Sequence, residues 1–219
     1  MLAALTARQT QVRVAAIFGG IAALFAATGF AVRWEHAERH GRAARHFSRA
    51  NALDRQHRLA DALREYRTAV LIDREREEYQ LGLADALRRA GRPAEAEAYL
   101  RSMLERNPAH GRANLALARI RAQQVLTNQE SADAADAAYR RAIAGDWPPP
   151  GPGPAPRLEW VAFLGETRRS SLQTAQLLIL AQELPGSEAR RLAAAAALAP
   201  AASEERRQLI DRLRAAVQP

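Results

Sequence analysis

Tyr79-Gln80-Leu81-Gly82-Leu83-Ala84-Asp85-Ala86-Leu87-Arg88-Arg89-Ala90-Gly91-Arg92-Pro93-Ala94-Glu95-Ala96-Glu97-Ala98-Tyr99-Leu100 reads as two helices joined by a turn at Gly91. Ala, Leu, Arg and Glu make up most of it, and these residues lose little on entering a helix. The same mixture dominates all 219 residues, in which aromatics are only 5%. The expected fold class is therefore all-α.

Working outward, the pattern repeats. Ala84, Leu87, Ala96, Leu100, Met103 and Pro108 are preceded, 34 positions earlier, by Ala50, Leu53, Ala62, Tyr66, Ala69 and Arg74. Five of these six pairs keep a small or apolar character. Two antiparallel helices need small residues where they cross closely and large ones to fill the gap to the next pair, so the recurrence predicts stacked helix pairs. A third unit, Gly111 to about Trp147, keeps Leu117-Ala118, Ala135, Tyr139 and Ala142, with about five extra residues around Thr127-Asn128-Gln129-Glu130 lengthening its turn. The rival arrangement is a generic Ala-rich helical bundle.

This arrangement resembles the tetratricopeptide-repeat (TPR) family. Leu83-Ala84, Leu87, Gly91, Ala96, Leu100 and Pro108 match its pattern best, while the first unit has Arg74 where the pattern has its exit proline. The resemblance implies an α-solenoid of helix-turn-helix repeats whose first helices line a groove. Phe47, Asn51, Asp54 and Arg55 would lie there from the first unit, Leu81, Asp85, Arg88 and Arg89 from the second, and Arg112, Leu115 and Arg119 from the third. Such a groove is net basic with apolar spots and suits an acidic or amphipathic peptide. A clamp for chaperone tails is not expected, because only Asn51 and Arg112 of its residue set are kept, with Phe47, Gly82 and Ala116 at the other positions. Each groove residue also reads, taken singly, as a solvated helix face.

Upstream, residues 14–32 run without a charge between Arg13 and Arg33. Nineteen helical residues span roughly 28 Å, close to the ~30 Å hydrocarbon core, so 14–33 is expected to be a transmembrane helix behind a tail at 1–13. Trp34 follows at the interface position. A cleaved signal peptide and a buried core helix are the competing readings. Gly19, Ala23 and Ala27 share a face that would allow close packing of two such helices, making a homo-oligomer an open option. Arg33, Arg39, Arg42, Arg45 and Arg49 after the span, against Arg8 and Arg13 before it, place the large domain in the cytoplasm by the positive-inside rule. Many bacterial inner-membrane TPR proteins carry their repeats in the periplasm instead, and the side stays open.

Downstream of the repeats at 34–147, the run 148–156 is rich in Pro and Gly and is expected to be a polyproline-like linker. Residues 157–219 resume helical patterning as degenerate repeats or a cap. Leu158, Val161 and Leu164, then Leu177, Leu178 and Leu180, mark one pair, and Ser203 before Glu204-Glu205 reads as a helix N-cap.

A formal net charge of +8, all of the cations being Arg, admits acidic proteins, anionic lipid or nucleic acid as partners. Carboxylates at Glu35, Glu38, Asp54 and Asp61 interrupt the Arg-rich juxtamembrane segment, and stacking aromatics are few, which disfavours nucleic acid. The absence of Cys excludes disulfides and thiol catalysis. His36 and His40 sit one helical turn apart, but no Cys or well-placed carboxylate completes a metal site. No phosphate-binding Gly loop or nucleophile elbow occurs. The expectation is a scaffold at a bacterial inner membrane serving an envelope assembly process, with neither cofactor, metal nor enzymatic activity.

Overall fold

The computed structural model describes residues 2–127 and 131–217, and the side chains of these except 2–23, 26, 27, 31, 32 and 36. Among the described residues the chain forms ten helices and no strand: α1 (Leu2–Arg55), α2 (Leu59–Ile72), α3 (Glu77–Arg89), α4 (Pro93–Arg106), α5 (Gly111–Leu126), α6 (Ala132–Ala144), α7 (Ala155–Glu166), α8 (Ser170–Glu183), α9 (Ser187–Leu198) and α10 (Glu204–Val217). The chain divides into two compact units, residues 1–79 and 80–219.

The turn geometry shows why these helices come in pairs. His57, Gly91, Arg168 and Ala202 each take a positive φ, between 57° and 71°, two residues before α2, α4, α8 and α10 begin. The backbone bonds around three of them are the same. Arg58 N donates to Leu53 O, Arg92 N to Leu87 O and Arg169 N to Leu164 O, at 3.0, 2.9 and 2.8 Å. Each is a left-handed cap that satisfies a terminal carbonyl of the first helix and turns the chain back. The starts of α2 and α4 lie 34 residues apart, and so do those of α8 and α10.

In the first unit, Ala43 and Ala50 of α1 and Ala62 and Ala69 of α2 are fully buried, the small residues that let two helices approach. Phe47 fills the space beside them, with its ring 5.5 Å from Tyr66 and 4.8 Å from Tyr79. Two histidines tie α1 to α2: His40 Nδ1 lies 2.7 Å from Asp73, and His46 Nδ1 lies 2.7 Å from Glu65.

In the second unit, Leu83, Leu87, Leu100, Met103 and Ile120 are almost completely buried across α3, α4 and α5. A further cluster, including Leu158, Val161, Leu177, Leu180, Ala193, Ala196 and Leu213, holds α7 to α10 together. The third pair is closed by a different device. Gly111 N donates to Asp146 O at 2.9 Å, and the Trp147 indole packs over Gly111. A Cβ on Gly111 would lie 2.0 Å from Trp147 Nε1, so glycine is required there by packing.

One boundary differs from the sequence expectation. The linker is shorter than 148–156, because α7 already starts at Ala155 with Pro154 as its N-cap and Pro156 in its first turn. Proline is suited to that place, since its missing N–H would have no helical partner and its fixed φ is already helical. The backbone of α1 runs through 13/14 and 33/34 as one helix of 54 residues, about 80 Å long. Among the described residues no helix is long and apolar enough to cross a membrane. Most side chains of 14–32 lie outside the described residues, as do those of Gly19, Ala23 and Ala27, on which the packing stripe rests.

Candidate interaction face

The expected binding residues of the second unit sit on α3 and α5, and α7 completes the set. Asp85 of α3 accepts from Arg88 at 2.9 Å and from Arg89 at 3.0 Å. Arg88 also reaches Gln123 of α5 at 3.4 Å. Arg119 of α5 makes a two-pronged bond to Glu159 of α7, Nε to Oε2 at 2.8 Å and Nη2 to Oε1 at 2.6 Å. Polar side chains thus run from α3 across α5 to α7, and alternate helices of the chain share one face. The Glu159 carboxylate holds the Arg119 guanidinium above its ordinary range, against the opposing effect of burial.

A buried support stands behind this face. Tyr139 of α6 is buried, its ring 6.4 Å from the Trp160 ring and 5.9 Å from Phe163. Burial, reinforced by the charge of Glu159, pushes the Tyr139 phenol well above its usual range, so the ring stays neutral. Trp160 Nε1 donates to Asp136 Oδ1 at 2.7 Å, and Arg169 of α8 binds the other oxygen of the same carboxylate. Asp136 is fully buried, and these two donors are what make a charge tolerable there. Arg169 extends to Asp133 at 2.6 Å.

The remaining expected residues fall elsewhere. Leu115 is buried in the core at 6% exposure, Leu81 is half-buried, and Arg112 is exposed at the start of α5. In the first unit Phe47 is part of the aromatic packing. Asn51 accepts the Tyr66 hydroxyl at 2.5 Å, and Arg55 is exposed and donates to the Asn51 carbonyl at 3.2 Å. Asp54 is half-buried. Sequence reasoning missed Glu159, Gln123, Trp160 and Asp136. Glu159 was discoverable only as a carboxylate on the polar side of a predicted helix, since its partner is 40 residues away. Nothing in the sequence around Asp136 marks it as buried.

Among the described residues no three His, Asp or Glu come together to hold a metal ion. His36, one member of the pair considered for that role, has its side chain outside the described residues, and His40 is committed to Asp73.

Comparison with protein families gives a match. Residues 76–120, from just before α3 into α5, fit the family model for the tetratricopeptide repeat, whose members commonly bind other proteins. No curated protein matches the chain.

Proposed function

Since the chain carries a tetratricopeptide repeat, we propose that it is a membrane-held protein-interaction scaffold in which the face of α3, α5 and α7 receives a segment of another protein. The observation that carries this reading is the polar ladder Asp85, Arg88, Gln123, Arg119 and Glu159, which presents charged and polar groups from α3, α5 and α7 on one face. With Arg89, three arginines stand there against two carboxylates, so the face favours an acidic or amphipathic partner. A partner carboxylate that takes the place of Glu159 on Arg119 exchanges one two-pronged ion pair for another, so little pairing energy is lost. The guanidinium is already oriented, which reduces the entropy lost on binding.

Membrane attachment through 14–33 is supported by Leu24, Phe25, Phe30 and Trp34, each between 65% and 75% exposed on α1. Large apolar groups in such a run call for an apolar surrounding. We place the anchor in a bacterial inner membrane and the scaffold in an envelope assembly process. Lipid or nucleic-acid binding through the Arg-rich segment is the weaker reading. On a straight helix leaving the bilayer at Arg33, Arg42 and Arg49 would stand roughly 14 and 24 Å further out, beyond the ~8 Å over which salt leaves charge attraction intact.

The test is a fluorescence titration of the full chain in neutral nanodiscs with acidic, basic and uncharged amphipathic peptides, alongside carbonate extraction of membranes. The acidic peptides should bind best, Arg119→Glu should weaken them about tenfold, and the chain should resist extraction. Equal binding of all three peptide classes would remove the charge argument; release by carbonate would remove the anchor.

A further inference from the structure

Away from that face, the second unit contains a cavity of about 570 Å³ between the C-terminal end of α7, the start of α8 and the length of α10. This is within the size range of small-ligand sites. Its apolar wall is formed by Ala162, Leu164 and Ile210, and four arginines, Arg168, Arg206, Arg207 and Arg214, line it together with Glu166 and Asp211. The lining is therefore cationic by two charges.

The arginines are not equivalent. Arg206 is 4% exposed, and its hydrogens go to the carbonyls of Ala197 and Ala199, to Thr174 Oγ1 at 3.1 Å and to Gln173 at 3.4 Å. Every partner is neutral. A desolvated positive charge thus stands behind the cavity with no carboxylate bonded to it, and burial lowers the Arg206 pKa accordingly. Arg207 is paired one turn away with Glu204, at 3.1 Å, and Arg214 loosely with Asp211, at 3.7 Å. Arg168 lies at the positive-φ turn position, is exposed, and makes no ion pair among the described residues. The N-terminal ends of α8 and α10, at Ser170 and at Ser203 just before α10, line the same space and add the positive ends of two helix dipoles.

We propose that this cavity binds a single carboxylate attached to a short aliphatic body, with Arg168 as the direct ligand and Arg206 as the buried charge behind it. One unpaired arginine suits one carboxylate better than a phosphate, which calls for several free donors. Ala162 and the edge of Ile210, backed by the fully buried Leu164, take the aliphatic part. The carboxylate comes either from a free small acid or from an Asp or Glu side chain of a peptide.

The test uses calorimetric titration of the full chain in neutral nanodiscs with hexanoate, with inorganic phosphate, and with an acetylated, amidated pentapeptide Ala-Leu-Glu-Leu-Ala and its Gln counterpart. Hexanoate or the Glu peptide should bind, with the preferred one identifying the source, and Arg168→Gln should weaken that binding about tenfold. Arg101→Gln, an exposed change on α4, should leave it unaltered. Thermal melts of both variants establish that the fold is retained. Absence of binding by both probes, binding indifferent to Arg168→Gln, or phosphate binding more tightly than hexanoate would each overturn the proposal.

Discussion

Within the second unit, the pair α3/α4 and the pair α7/α8 turn the chain in the same way with different residues. Gly91 supplies the positive φ in one and Arg168 in the other, yet Arg92 N and Arg169 N make the same bond back to Leu87 O and Leu164 O. The family pattern covers 76–120 and stops short of α7. The same turn geometry is therefore reached outside the family pattern, where other interactions do the work of the pattern's residues. Around α7 to α10 those interactions are buried polar anchors: Asp136 of α6 between Trp160 and Arg169, and Arg206 closing the carbonyl end of α9 at Ala197 and Ala199.

If that is right, the later pairs should depend on single polar side chains far more than the earlier ones do. Asp136→Ala would leave the Trp160 indole N–H and the Arg169 charge without their acceptor, and should cost about 3 kcal/mol in chemical denaturation. Arg206→Met keeps the bulk but abandons the α9 carbonyls, and should cost about 2 kcal/mol. Against these, Arg92→Met at the equivalent turn of α3/α4 removes only an exposed ion pair to Glu95 and should fall within about 0.5 kcal/mol of the parent. Equal losses at Arg92 and Arg206 would break the comparison.

The smallest effect sharpens it. Ala202 holds φ at 57° at the cost of Cβ crowding, whereas Gly91 holds 71° without it. Ala202→Gly should therefore raise the stability by about 0.5 kcal/mol, the relief of left-handed strain exceeding the entropy that glycine adds to the unfolded chain.

The early pairs were legible in the sequence because their signals are local or periodic. Ala50, Ala62, Ala84 and Ala96 recur at a fixed spacing, and all four are buried where helices cross. Gly91 announced its own turn. Much of the rest depends on partners distant in the chain. The bond from Arg119 to Glu159, the burial of Asp136 under Trp160 and the cover of Trp147 over Gly111 are tertiary events between residues 24 to 40 apart, with no period to reveal them. Leu115 shows the opposite error, since an apolar residue near the groove positions is read as available for binding although the core has already taken it. Pro154 and Pro156 were read as excluding helix, when their place at the start of α7 makes them helix-compatible.

The central claim is that the face of α3, α5 and α7 receives a partner. A photo-reactive residue placed at Gln123, exposed on α5 beside Arg88, in the full chain in its native membranes tests this directly, with the same residue at Arg101 on α4 as comparison. A discrete cross-linked species from position 123 that is absent from position 101, and that disappears with Arg119→Glu, is the predicted result. Cross-linking from 101 alone, or from both positions regardless of Arg119, would contradict it.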